Sequence, residues 1–304
     1  TFVVSLLTLT LTLTLTLTEV VSSSSNSSTV DTTQPLNVIN RANILLKTNK
    51  GTFKKLQFGK GLTDFAKLAS EGLVFVDKTM FIKDLIENHD SVSIITRPRR
   101  WGKTTNMDML DKFFGLQVNS KGKKVEQNSY KELFLKLEIG QKAASIVEVH
   151  QGKYPVIVIN LKHSQESGTI KDKLKTKIRK LYDKYQYLAN STKLNPDQIE
   201  AYKRYRSADN TDNDYIGNSI QFLSELLHEH HGEEVYIIID EYDEILNSVY
   251  GTDEYEEARK LLGLMLGNAL KDNSHLNKAI ITGFTKIAKA EFYHVLNNVV
   301  EYSI

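Results

Sequence analysis

Gly102-Lys103-Thr104 ends a stretch that fits a phosphate-binding loop of the G-x-x-x-x-G-K-[ST] kind. Each residue type suits an anion at a helix start. Backbone N–H groups at a helix N-terminus point at the anion, and the helix dipole adds to the attraction. Gly102 lets the backbone approach a phosphate closely. Lys103 places an ammonium on the β- and γ-phosphates of a nucleotide, and Thr104 offers a hydroxyl ligand to Mg²⁺. The first glycine of the pattern is replaced by Arg97, and Pro98, Arg99, Arg100 and Trp101 fill the loop. A bare Gly-Lys-Thr is a weak signal, and the surroundings strengthen it. Ser91 to Thr96 reads as a strand, and Met107, Leu110 and Phe114 lie on one face of a helix that follows. The competing reading is an ordinary basic turn.

A second stretch, Glu234-Val-Tyr-Ile-Ile-Ile-Asp240-Glu241, reads as a buried strand with two carboxylates at its C-terminal end. In doubly wound sheets ligands bind outside those ends. Asp240 can hold the Mg²⁺ shell, directly or through water, and Glu241 can act as general base toward an attacking water. The competing reading is a strand-end cap, a job also open to Asp243. Lys278-Ala-Ile-Ile-Thr282-Gly283 is a further apolar strand with a polar end. Thr282 is the candidate to read the γ-phosphate or the water; a plain strand-end turn competes.

The elements that would hold these groups alternate between strand and helix. Leu73-Val-Phe-Val76 reads as a short strand. A helix is expected from about Met80 to Asn88, with Phe81, Ile82, Leu85 and Ile86 on its apolar stripe and Asp77 or Thr79 as N-cap. Phe53 to Leu73 reads as mixed short helices, and 117–150 as a polar loop with helices packed by Leu133, Phe134 and Leu137. Pro155 to Asn160 is a continuous apolar run, as in a buried parallel strand. Lys171 to Tyr187 is expected to be one helix with Leu174, Ile178, Leu181 and Tyr185 inward. Asn190 to Asp214 reads as a loop-rich insertion, and Ile220 to His228 as a helix closed at Gly232.

The helix from Lys171 carries seven basic residues (Lys171, Lys173, Lys175, Lys177, Arg179, Lys180, Lys184) against Asp172 and Asp183. Such a run is ordinarily a solvated face; nucleic-acid contact is the sharper and weaker alternative. His228, His230 and His231 sit at a helix end, where the dipole favours them, and their spacing is not that of a zinc helix. The chain of 304 residues has 40% hydrophobic and 25% charged residues and a net charge of +2. Bulk charge therefore argues for neither nucleic acid nor acidic lipid. With no cysteine there is no disulfide and no Cys-ligated metal, and the redox compartment stays open.

Residues 1–34 read as a low-complexity or signal-like segment, Leu/Thr alternation followed by serine; 35–57 reads as a linker. The alternatives for 1–18 are disordered coil, a secretory signal or an anchor. No membrane span is expected in the folded part. ATP use favours an intracellular location, against that signal reading.

Together the stretches Phe75-Val-Asp-Lys-Thr79, Thr96-Arg-Pro-Arg-Arg-Trp-Gly-Lys-Thr104, Ile239-Asp-Glu-Tyr-Asp243, Ile281-Thr-Gly283 and Leu296-Asn-Asn298 resemble the AAA-ATPase-like family of predicted P-loop ATPases, in the family's order. Many members carry a PD-(D/E)XK nuclease-like region after the ATPase. In that family Arg-Pro-Arg-Arg-aromatic-Gly-Lys is itself the usual loop; Trp101 stands where Phe is commoner. The resemblance implies an α/β fold, a P-loop NTPase of the additional-strand, AAA-like kind, over 58–304. Its parallel sheet has helices on both faces, and its lid region is cut short at the C-terminus. It implies ATP and Mg²⁺, with Lys103, Thr104, Asp240 and Glu241 as nucleotide residues. Arg97, Arg99, Arg100, Trp101, Gly102 and Thr105 complete the binding set, and Glu241 and Thr282 are the catalytic candidates. The expected function is Mg²⁺-dependent ATP hydrolysis. The rival is a nucleotide-gated module that binds protein or nucleic acid with little turnover. A homo-oligomer stays open, with Arg99 and Arg100 acting within one subunit or across a contact.

Overall fold

The computed structural model describes residues 45–47, 53–55, 61–71, 75–99, 101–126, 128–162, 168–207, 212–271, 273–284 and 299–303. Two compact units divide the chain, Thr1–Leu56 with Ile304, and Gln57–Ser303. In the first, β1 (Leu45–Lys47) pairs antiparallel with β2 (Phe53–Lys55), within the stretch the sequence reads as a linker; Phe53–Lys55 is therefore strand, not the start of the short helices expected from Phe53 to Leu73.

The second unit alternates helix and strand. It begins with α1 (Phe65–Ser70) and α2 (Met80–Glu87), then β3 (Val92–Thr96) leads into α3 (Lys103–Phe114). Three short helices, α4 (Lys131–Lys136), α5 (Glu138–Lys142) and α6 (Ala144–His150), precede β4 (Val156–Asn160). Next come α7 (Ile170–Tyr182), a 3₁₀ stretch (Asp183–Asn190), α8 (Pro196–Ser207) and α9 (Asn213–His231). The unit closes with β5 (Val235–Asp240), α10 (Glu244–Ser248), α11 (Tyr255–Leu270), β6 (Leu276–Gly283) and β7 (Val299–Ser303).

The five strands from β3 onward form one all-parallel sheet in the order β4-β5-β6-β3-β7. Strand residues alternate between two cores, as the pleat requires. Ile157, Ile159, Ile237, Ile239, Ala279 and Ile281 face a core with Ile178 of α7, Leu223 of α9 and Leu262 of α11. Val156, Tyr236, Ile238 and Ile280 face a second core with Ile82 of α2, Leu110 of α3, Phe134 of α4 and Ile139 of α5. The molecule is thus α/β, a parallel sheet with helices on both faces, and the apolar strands carry the double burial that such a sheet demands.

Four further local expectations need correction. Phe75 and Val76 are not strand; Val76 is 51% exposed and Phe75 sets its ring edge-on against Phe65 at 5.6 Å. Leu73 and Val74 of that reading lie outside the described residues. The helix from Lys171 starts a residue earlier and stops at Tyr182, because Tyr185 leaves helical geometry (φ −113°, ψ 39°) to donate its hydroxyl to the Val156 carbonyl at 2.7 Å. The supposed loop from Asn190 to Asp214 contains α8, twelve residues seated by a fully buried Tyr202 whose hydroxyl donates to the carbonyls of Tyr182 and Tyr185. Finally, α9 begins at Asn213, seven residues before the expected start, with Asp212 accepting at its first turn, and closes as expected on left-handed Gly232 (φ 79°).

Candidate functional site

Strand register gathers the candidates. Asn160 of β4 lies opposite Asp240 of β5, and Thr96 of β3 opposite Gly283 of β6. Ile239 pairs with Ile281, which sets Asp240 beside Thr282. The C-terminal ends of four parallel strands therefore share one edge.

The loop after β3 starts with Arg97, whose N–H donates to the Gly283 carbonyl at 3.3 Å and whose guanidinium donates to the Thr96 carbonyl at 2.9 Å. Gly102 adopts left-handed geometry (φ 77°, ψ 20°), and no atom lies within 4 Å of where its Cβ would stand. That conformation, cheap only for glycine, turns the loop directly into α3. Among the described residues no side chain caps α3. The helix start is therefore open to an external acceptor. The Lys103 ammonium folds over the loop, donating to the carbonyls of Arg97 (2.9 Å) and Pro98 (3.1 Å). Thr105 is half-buried one residue beyond Thr104, Trp101 is 43% exposed, and Arg100 lies outside the described residues.

Asp240 is the meeting point. Its Oδ2 accepts from Thr104 Oγ1 (2.8 Å) and Asn160 Nδ2 (3.0 Å), and its Oδ1 from Thr282 Oγ1 (2.5 Å). Asp240 is 2% exposed and Thr282 fully buried. The hydroxyl of Thr282 is thus committed to Asp240. Asn160 is a site residue that the sequence reading passed over. The signal was present, since it ends an apolar strand in a polar residue just as Thr282 does.

Glu241 has φ of 54°, the only described non-glycine residue in that region. A side chain with left-handed φ is strained. The turn answers a geometric difficulty: adjacent residues on a strand point to opposite faces, and only a bend at Glu241 allows both carboxylates to serve one edge. Glu241 Oε2 is buried with no hydrogen-bond partner. Burial, and then the neighbouring Asp240 charge, push its carboxyl above the ordinary glutamate value.

Asp243 does not cap the helix that follows. Its buried carboxylate accepts from the Phe284 N–H at 3.0 and 3.2 Å and so ties the β5 turn to the end of β6. Exposed Arg99 pairs with Glu244 Oε1 at 2.9 Å and lies 5.9 Å from the centre of the Phe284 ring.

The remaining sequence candidates are held elsewhere. Neither Asp77 nor Thr79 caps α2 with its side chain; both reach the start of α5. In the basic run, Lys177 donates to the carbonyls of Asn160 and Lys162, Lys184 to that of Val158, and Lys171 to Asn213 Oδ1. At least three of the seven cations therefore also bond to the protein itself, while all seven stay exposed or half-buried, as on a solvated face. His230 pairs with Ser191 and the Gly122 carbonyl, and His231 with the Tyr187 hydroxyl at 2.9 Å. Among the described residues no group of three or more His, Asp or Glu could hold a metal ion by itself, and no helix is long and apolar enough to cross a membrane.

Compared with known proteins, the chain matches one family model, described as a predicted AAA-ATPase, over residues 59–293. No curated protein and no solved structure matches it.

Proposed function

Since the chain belongs to the predicted AAA-ATPase family, we propose that it is a P-loop protein of the additional-strand kind that binds ATP and hydrolyses it with Mg²⁺. One observation carries this reading: Glu241, bent off its strand and left with a buried, unpartnered oxygen. A buried polar atom without a partner costs about 1–3 kcal/mol, and strained backbone persists where function requires it. Beside it stand Asp240 with Thr104, and an uncapped helix start with a lysine.

In this reading the N–H groups from Gly102 to Thr105 cradle the phosphates, and Lys103 leaves its loop carbonyls for the β- and γ-phosphates. Arg97, Arg99, Arg100 and Trp101 border the nucleotide. Thr104 and Asp240 fit a divalent ion, a hydroxyl and a carboxylate already 2.8 Å apart. Bound Mg²⁺ would neutralise charge on the phosphate oxygens. Asn160 and Thr282 keep Asp240 oriented. Glu241 takes the proton of a water as that water's oxygen bonds to the γ-phosphorus. The bond to the bridging oxygen breaks, and ADP and phosphate leave.

Turnover and binding by the purified chain test this. Lys103→Ala should lose roughly 1.5–3 kcal/mol of ATP affinity. Glu241→Gln should keep ATP binding and slow hydrolysis by about 10²–10⁴-fold, whereas Asp240→Asn should weaken the Mg²⁺-dependent part of binding. Equal, small effects of both carboxylate changes on binding, with none on turnover, would make the pair a strand-end cap. The protein would then be a nucleotide-gated module.

A further inference from the structure

β4 stands at one end of the strand order and pairs with β5. Backbone groups of successive strand residues point to opposite edges of a strand. The Tyr236 N–H donates to the Pro155 carbonyl, and the Leu161 N–H to the Asp240 carbonyl, both at 2.9 Å. Odd-numbered residues from Pro155 to Leu161 therefore face β5, and the even-numbered ones face outward. Every outward carbonyl along this edge accepts a hydrogen bond. Tyr154 accepts from the Leu116 N–H at 2.8 Å. Val156 accepts from the Tyr185 hydroxyl at 2.7 Å, and Val158 from the Lys184 ammonium at 3.0 Å. The Lys177 ammonium donates to Asn160 at 3.1 Å and, past the strand end, to Lys162 at 2.7 Å.

The arrangement has a cost. Pinning a long lysine side chain along a surface loses rotamer freedom, and the chain breaks helical geometry at Tyr185 directly after Lys184. Those two neighbours then reach carbonyls two residues apart on β4. The carbonyls so covered are the ones an incoming strand would need, since strand addition is made by N–H donation to an open edge. β4 reads Val156-Ile-Val-Ile-Asn160, apolar and β-branched, the composition that makes an open edge hazardous.

We propose that Lys177, Lys184 and Tyr185 hold the outer edge of β4 shut against strand addition, and that the strand they exclude is β4 of a second copy of this chain. A second copy offers the same edge, with the same length and the same apolar faces. Two such edges can meet antiparallel about a twofold axis, as in an isologous contact. Two of the seven cations in the basic run thereby have a task on the protein itself. Nothing in this edge depends on ATP, so the nucleotide reading can fail without it.

The test measures the mass of the full chain in solution by sedimentation, at equal concentration, together with its thermal midpoint. Lys177→Ala/Lys184→Ala/Tyr185→Phe should sediment at twice the parent's mass. Should that variant fail to fold, Lys177→Ala/Lys184→Ala, changed at one half-buried and one exposed side chain, carries the same expectation. The Val158 N–H, which faces outward, should exchange more slowly in the heavier form than in the parent. Lys173→Ala/Lys175→Ala removes the same charge from α7 without touching the edge, and should keep the parent's mass. A folded edge variant that stays at the parent's mass overturns the proposal. So does association that leaves exchange at Val158 unchanged, the mark of another surface, or equal association by Lys173→Ala/Lys175→Ala, the mark of lost charge. Unfolding of the Lys177→Ala/Lys184→Ala chain overturns it too, because the lysines would then hold the strand in place rather than guard it.

Discussion

Gly283 has no room for a methyl group. A Cβ there would lie 2.5 Å from a Tyr242 ring carbon and 2.8 Å from Asp243 Oδ1. Both are buried, and Asp243 is held by the Phe284 N–H. Gly283→Ala should therefore cost about 1–3 kcal/mol by overpacking, seen as a lower urea midpoint, and should splay the strand ends that seat Asp240. A wild-type midpoint would show that Tyr242 yields freely. His231 gives a pH dependence. Burial, then His230 and Lys193, lower its value to about 4. An unfolded histidine titrates near 6.5. The unfolded chain thus binds more protons between these values, so the stability from neutral His231 is full above about 6.5 and is lost as pH falls toward 4. The slope is at most about 1.4 kcal/mol per pH unit. His231→Gln should flatten that acid limb in unfolding measurements; an unchanged limb would place the proton elsewhere. At this scale the sequence was legible where residue type is itself chemistry: lysine after glycine, paired acids after an apolar run. The hydrogen bonds from Thr104, Asn160 and Thr282 to Asp240 were not, because they depend on which strands neighbour one another.

α8 shows why an element can escape detection. Of its twelve residues only Tyr202 is buried, so it offers no apolar stripe to find. Its seat is aromatic and polar instead. Tyr205 stacks on Tyr182 (4.7 Å) and Tyr215 (4.4 Å), and the Tyr202 hydroxyl bridges two carbonyls. Tyr202→Phe leaves those carbonyls short of a donor, and should cost about 1–3 kcal/mol. The expected readout is faster amide exchange confined to α8 and the 3₁₀ stretch, with sheet amides unaffected. Uniformly faster exchange would mean that α8 is integral to the main core. The helices around the site were legible by contrast from the helical spacing of their apolar residues, and the central strands from their continuous apolar runs.

For the whole molecule, the alternation of strand and helix pointed to a parallel sheet, and the strands' lack of polar alternation pointed to two covered faces. Strand order was beyond the sequence read residue by residue. The two compact units give a prediction at this scale. A chain beginning at Gln57 should keep the thermal midpoint and the proposed ATP affinity of the full chain, because the second unit is compact by itself. Failure to obtain soluble, ATP-binding protein from that chain would make the first unit part of the fold.

The same order sets a timetable for synthesis. β3 carries the loop proposed to grip phosphate, yet among the described residues it pairs only with β6 and β7. Its first partner starts at Leu276, about 180 residues after Thr96. At roughly 5–20 residues per second, the growing chain exposes both edges of β3 on the ribosome for roughly ten to forty seconds, while β4 and β5 are already free to join. Val92, Ile94 and Ile95 lie on that strand. An apolar strand with open edges is a template for aggregation. The loop that would grip ATP is made early and becomes a site only when nearly the last of the sheet has emerged. A transient binder of extended apolar chain should therefore be needed between Thr96 and Leu276, and ribosome-bound chains halted just before β6 should be the ones that depend on it.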